Sequence, residues 1–249
     1  MDGSACDLRR SFLFACASEE LLSSAESQFV AGWRPARRVL FHQGSAAGTI
    51  FLLTSGHVRL TRVTAGGKIF LVGFIGAGEV FGEEAVFAPS QRCSTATVVD
   101  DASYSTCTSS ALRGLMERWP LLALNMAKYL QEQRIAAMST IEDVAYLPVP
   151  QRILNLLERL ANEDGVVEDD GTRIDLHLTH ADIAAMIGST RETVSTELAR
   201  LVKSRRVLVR DRSYVWPRCT QPPIRLEPLD IADLRVAPIV IRLASTSVV

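Results

Sequence analysis

The sequence predicts an α+β chain: an N-terminal antiparallel β-sandwich or jelly roll, one long helix, and a C-terminal helical module ending in a small β-hairpin. Three observations predict it. Between Val39 and Thr108, short apolar runs alternate with glycine turns. From Leu121 to Ala145 the apolar residues repeat at helical spacing, without a break by glycine or proline. From Thr179 to Leu198, two short amphipathic segments meet at Gly188.

The bulk numbers set the limits. A chain of 249 residues with 47% apolar content can fill more than one core. The net charge is −1, so no global excess points to a polyanionic partner. Five scattered cysteines, an odd number without a CxxC pair, predict a reducing compartment and hence the cytoplasm. The apolar stretch Phe12–Ala17 is shorter than a signal-peptide core and runs into Glu19-Glu20. No apolar run reaches the length of a membrane span. P-loop, HExxH and GxSxG patterns are absent from the sequence, which argues against an enzyme.

The elements follow in order. Residues 8–30 read as a helical lead-in, with Leu8, Phe12, Leu21, Leu22, Ala25 and Phe29 on one side. Strands are predicted at Val39–Phe41, Thr49–Leu53, His57–Val63, Lys68–Phe74, Glu79–Phe81, Ser94–Val99 and Ser103–Thr108. Gly66-Gly67 suits a hairpin turn between two of them. A short helix, Ala111–Arg118, ends at Pro120.

In the long helix, Ala123, Ala127, Leu130, Arg134, Ala137, Ile141 and Val144 alternate by four and three. That heptad seam, interrupted by Arg134, predicts a homodimer paired through residues 121–145. Leu124, Ile135 and Met138 are expected to face the strands. Pro148 and Pro150 end the helix and mark a hinge. Pro150 suits the first turn of the next helix, Gln151–Asn162. Asp164-Gly165 and Asp170-Gly171 read as turns, and Arg173–Leu178 as a strand. Arg206–Arg210 and Tyr214–Trp216 form a hairpin, the wing. Residues 219–249 are punctuated by prolines and carry an apolar run, Val236–Leu243, of no legible role. The expected division is 1–109, 110–147, 148–218 and 219–249.

Residues 179–198 carry the chemistry. Two helices joined at a glycine are the arrangement that lays a helix in the major groove of double-stranded DNA. Ile183, Ile187, Val194 and Leu198 supply the contacts between them. The second helix is capped either by Ser189 with Glu192, in a capping box, or by Thr190 alone. Its outward positions are Arg191, Glu192, Ser195 and Thr196, the candidate base readers. Arg is suited to guanine and Glu to the cytosine amino group. Thr179, His180, Thr190, Lys203 and Arg205 are the phosphate candidates. From Arg191 to Arg218, eight basic residues face three acids, an excess that suits a phosphate backbone.

A sandwich, a long pairing helix, a proline hinge and a winged helix-turn-helix, in that order, resemble the Crp/Fnr family of bacterial transcription regulators. The resemblance covers roughly residues 8–218. Ile50–Leu60, with its Ser55-Gly56 turn, looks like the family's strand–turn–strand element. Gly78–Glu83 looks like the lead-in of its phosphate cassette, and Thr190–Val194 matches the recognition helix of its cyclic-AMP-responsive branch.

The resemblance implies a cyclic-nucleotide-binding-like sandwich, a two-fold symmetric operator and RNA polymerase as a partner. It assigns Gly82 and Glu83 to a ribose and Arg92 with Cys93 to a cyclic phosphate. Three departures weigh against cyclic AMP. Cys93 replaces a serine and donates hydrogen bonds poorly. Ala137 and Met138 stand where those relatives carry Thr and Ser. Glu84 adds a negative charge to the cassette. Thr196 stands where that branch carries an arginine, which alters one base preference.

Other readings compete. Gly82-Glu83 as a simple turn and Arg92 as a surface arginine would leave the sandwich without a ligand. The regulator would then be effector-independent, or redox-responsive through Cys93 or Cys107. Cys6 and Cys16 are too few for an iron–sulfur cluster. His42, His57 and Cys93 are weak haem ligands standing alone. A dimeric scaffold that has lost DNA binding is the remaining alternative.

Overall fold

The computed structural model describes residues 8–67, 69–87, 91–211 and 213–218. The predicted extension 219–249 lies outside them. The sandwich is two four-stranded antiparallel sheets. One runs β1-β8-β3-β6, from β1 (Val30–Arg34), β8 (Ala102–Thr108), β3 (Thr49–Ser55) and β6 (Val80–Phe81). The other runs β2-β7-β4-β5, from β2 (Val39–Phe41), β7 (Thr95–Val98), β4 (Val58–Val63) and β5 (Ile69–Ile75). The β4–β5 hairpin turns at Gly67, whose φ of 75° favours glycine.

The run Ile50-Phe51-Leu52-Leu53 shows why β3 is apolar on both faces. Phe51 and Leu53 point between the sheets, while Ile50 and Leu52 point outward under helices. Those helices are α1 (Glu19–Glu26), α3 (Ser109–Arg118) and the first half of α4 (Pro120–Tyr146). A single turn, α2 (Glu84–Phe87), follows β6. Asn125 and Tyr129 fasten α4 to this layer. The Asn125 amide donates to the carbonyls of Leu13 and Ala15 at 3.0 and 3.1 Å, and the Tyr129 hydroxyl donates to that of Val80 at 3.1 Å. Tyr129 also stacks on Phe12, with ring centroids 4.3 Å apart.

Several expectations are corrected here. The lead-in is two 3-10 turns, Leu8–Arg10 and Phe12–Phe14, followed by α1, rather than two helices. Its apolar residues still reach the core. β1 was not foreseen, because Gly32 interrupts its apolar pattern. That glycine exists for proximity: a Cβ there would lie 2.6 Å from the Tyr104 ring. Leu124, Ile135 and Met138 do not face the strands. They are 54%, 54% and 48% exposed, and α4 instead buries Leu122, Asn125, Met126 and Tyr129. Beyond Leu130 the helix stands clear of the sandwich, with Ile141 and Val144 also exposed.

The C-terminal module contains α5 (Val149–Asp164), α6 (His180–Ile187) and α7 (Arg191–Lys203). Its sheet runs β11-β12-β10-β9, from β9 (Gly165–Glu168), β10 (Gly171–Ile174), β11 (Leu208–Arg210) and β12 (Ser213–Pro217). Gly165 therefore begins a strand instead of sitting in a turn. The strand expected at Arg173–Leu178 starts earlier and ends at Ile174. The core gathers Ile153, Leu157, Ile174, Ile183, Val194 and Leu198. Each such side chain contributes about 1.5–3 kcal/mol on burial.

Candidate nucleic-acid interface

Local sequence explains both helix ends at the reading head. Thr179 caps α6 through a capping box: its side chain accepts from the Asp182 N–H, and the Asp182 carboxylate accepts from the Thr179 N–H. Gly188 ends α6 in the left-handed region, with φ 64° and ψ 46°. The Ser189 N–H then donates to the Ala184 carbonyl at 2.9 Å. Thr190 alone caps α7 by accepting from the Thr193 N–H at 3.2 Å. That settles the choice of cap. Glu192 is the second residue of α7, not the partner of a capping box.

Arg191 and Glu192 are exposed and have no side-chain partner among the described residues. Both reach outward from the first turn of α7. The other two base-reading candidates are already engaged. The Thr196 hydroxyl donates to the Glu192 carbonyl at 3.1 Å. Ser195 Oγ lies 2.7 Å from His180 Nδ1, a bond that ties the start of α6 to the outer face of α7. Thr179, Thr190, Lys203 and Arg205 are exposed around this face, and His180 is half-buried. Arg205 holds φ 57° in the turn leaving α7, which turns the chain toward the wing.

The charge excess counted along the sequence is smaller in space. Arg210 pairs with Glu168 at 2.8 Å and also with Asp170, both from the β9–β10 hairpin. Arg200 pairs with Glu197 at 2.8 Å. Arg212 lies outside the described residues. Of the eight, Arg191, Lys203, Arg205, Arg206 and Arg218 form no ion pair among the described residues.

The sandwich touches the module directly. Arg59 of β4 pairs with Asp182 at 3.1 Å, and Phe74 of β5 packs against the module's core. At the hinge, Arg152 of α5 donates to the carbonyls of Val144, Leu147 and Ile187, at 2.9, 2.7 and 3.2 Å. It thereby caps the ends of α4 and α6 together. A cleft of about 490 Å³ opens beside it, lined by Asp143, Asn155 and Arg159 among others.

In the sandwich, Arg92 is no surface arginine: it is 4% exposed. Its guanidinium stacks over Phe41, with Cζ 4.1 Å from the ring centroid. Nη1 donates to the Gly82 carbonyl at 3.1 Å and reaches Glu84 at 3.4 Å, while Nη2 donates to the Thr49 carbonyl. Gly82, with φ 76°, is required here, because a Cβ would stand 2.4 Å from Nη1. Gly82, Glu83 and Arg92 thus come together, while the neighbouring Cys93 is exposed. Burial first, then the charge of Glu84, pushes the Glu83 carboxyl above the usual carboxylate range.

Burial also pushes the Cys107 thiol up to about 11, and its Sγ sits 3.4 Å from the Thr108 carbonyl. A buried thiol raised in this way is a poor nucleophile, which weighs against a redox role for Cys107. His57 Nδ1 donates to the Asp100 carboxylate at 2.8 Å. Among the described residues, no three His, Cys, Asp or Glu side chains gather to hold a metal ion, and no helix is long and apolar enough to cross a membrane.

Comparison with known proteins matches both halves. Residues 33–118 match the cyclic nucleotide-binding domain and residues 151–216 the Crp-like helix-turn-helix domain. The global nitrogen regulator of Synechococcus elongatus is 30% identical over 175 residues, 69% of this chain and 78% of that protein. The CRP-like cAMP-activated global transcriptional regulator of Mycobacterium tuberculosis is 27% identical over 165 residues, 66% of this chain and 74% of that one. Among solved structures, the c-di-GMP responsive global regulator of Xanthomonas campestris superposes with a TM-score of 0.69 at 20% identity, covering 80% of this chain and 99% of that one. The fold, the exposed start of α7 and these matches lead to one assignment: the chain belongs to the Crp/Fnr family and is a DNA-binding transcription regulator.

Proposed function

We propose that the chain works as a homodimer, paired through residues 121–145, that reads a two-fold symmetric operator with one α7 in each of two successive major grooves. Two such helices sit about 34 Å apart on one face of the duplex. The observation that carries this reading is the exposed and unpartnered pair Arg191 and Glu192 on the first turn of a capped helix. Arg191 is assigned to a guanine and Glu192 to a cytosine edge. Ser195 and Thr196 extend the same face, and their existing bonds leave them one lone pair or rotamer to offer a base. Thr179, His180, Thr190, Lys203 and Arg205 hold phosphates and set the register.

The exposed apolar residues of α4 support the pairing. Leu124, Ile135, Met138, Ile141 and Val144 lie on or beside the heptad seam and are bare in one chain. The division into a sensor sandwich, a pairing helix and a DNA-binding module at residues 148–218 follows from this reading, as do a cytoplasmic location and RNA polymerase as a partner. Selection of bound duplexes from a random pool, with sedimentation of the protein alone and on DNA, tests it. A palindromic consensus with two half-sites one helical turn apart is expected. A monomer that enriches no sequence contradicts it.

The relatives' names place cyclic AMP or cyclic-di-GMP with those proteins. For this chain, Gly82, Glu83, Arg92 and the exposed Cys93 are the candidate effector contacts. A second reading, in which the sandwich takes no small molecule, is favoured by the partners that Arg92 already has.

A further inference from the structure

We propose that Glu84 is a built-in counter-anion: it neutralises the buried Arg92 and thereby excludes anionic ligands from that guanidinium. The proposal rests on the reading of the sandwich as a sensor domain and specifies how that sensor is set.

A guanidinium that is 4% exposed needs a negative charge close by, or its desolvation is uncompensated. The carbonyls of Gly82 and Thr49 satisfy donors but carry no net charge. The Glu84 carboxylate, 3.4 Å from Nη1, supplies it. Its own side chain is 19% exposed, so the pair is screened little by water. Glu84 is the first residue of α2, a turn that β6 and Gly82 bring against Arg92.

An incoming oxyanion would meet three obstacles. Three of the five guanidinium N–H groups are already given, to the carbonyls of Gly82 and Thr49 and to Glu84. The Glu84 carboxylate would have to leave, or remain as a like charge beside the ligand. Cys93, the expected second donor, is a thiol and donates a hydrogen bond poorly. Two donors are left over: the second N–H of Nη2, and that of Nε, which is buried with no partner among the described residues. Arg92 therefore keeps the capacity to bind an anion, and Glu84 is what withholds it.

The test uses the full chain, with inorganic phosphate and 3′,5′-cyclic AMP and cyclic GMP as probes, and thermal melting as the readout. A sodium chloride series at matched ionic strength is the control. Wild type should melt at one temperature whatever probe is added. Glu84→Gln, which keeps the shape and removes the charge, should gain a saturable rise of several degrees with at least one probe. Glu84→Asp should stay indifferent. Adding Arg92→Gln to Glu84→Gln should abolish the gain, which places the ligand at Arg92. Should Glu84→Gln fold poorly, Glu84→Ala and Glu84→Asp carry the same contrast between lost and kept charge. The proposal is overturned if wild type responds as strongly as the charge-removed variants, or if folded charge-removed variants respond to no probe. Operator binding of wild type, read in the same series, reports separately on the DNA reading. Its failure there would leave the ligand result standing.

Discussion

Arg92 and Arg191 are the same residue type in opposite circumstances. Arg92 is buried, stacked on Phe41, bonded to two carbonyls and paired with Glu84. Arg191 is exposed, has no partner among the described residues, and is held in place only by the capped helix that carries it. A buried arginine with partners is part of the fold. An exposed arginine on a rigid element is available to something outside the molecule. The contrast separates what a residue does for stability from what it does for recognition, and four substitutions sharpen it.

The largest effect belongs to Arg92→Ala. It strands the Glu84 carboxylate and empties the space over Phe41, so unfolding in urea should be easier by about 3 kcal/mol or more. A loss well under 1 kcal/mol would show that the cluster is not a stabilising unit. Arg191→Ala should leave the urea curve where it was. On the selected operator it should cost about 1–3 kcal/mol and blur preference at one base pair. An equal loss on every duplex would move Arg191 to the phosphate group.

Lys203→Ala should weaken all duplexes alike and lower the salt slope by about one unit. An unchanged slope removes Lys203 from the interface.

The smallest effect is expected at Glu83, and it depends on pH. Its raised pKa makes ionisation in the fold a cost, absent below the ordinary carboxylate range and complete above the raised value. Glu83→Gln removes that cost. The variant should melt above wild type near neutral pH, and the gap should close as pH falls below about 4. A gap that stays constant across that range would contradict the buried-charge account.

The two regions also differ in how much of them could be read from sequence. The reading head was legible because its signals are local. A cap, a left-handed glycine and a 3.6-residue period all lie within twenty residues, and Gly188 and Thr190 perform the roles read for them, whereas the Thr179–Asp182 capping box of α6 was missed although its signal is equally local. The Arg92 cluster was not legible in the same way. Its partners come from β2, β3, the β6–α2 junction and α2, so whether Arg92 is buried depends on sheet pairing that no local pattern reports. The same reason hid β1, where Gly32 breaks the pattern to admit Tyr104. It also inflated the positive charge of the wing, since Arg210 is paired with acids forty residues earlier. Leu124, Ile135 and Met138 were misplaced because an apolar side chain can seek its own sandwich or a second chain, and periodicity is the same in both cases.

The Arg152 contacts bear on how a signal would travel. The connection between α4 and α5 is two residues long, Leu147 and Pro148, and Arg152 of α5 binds the carbonyls of Val144 at the end of α4, Leu147 in the connection and Ile187 at the end of α6. Such a joint is a weld more than a tether. Torque applied to the long helix would turn α6, and the α7 packed on it, as a single lever arm, so a small rotation near the sandwich becomes a large sweep at the groove.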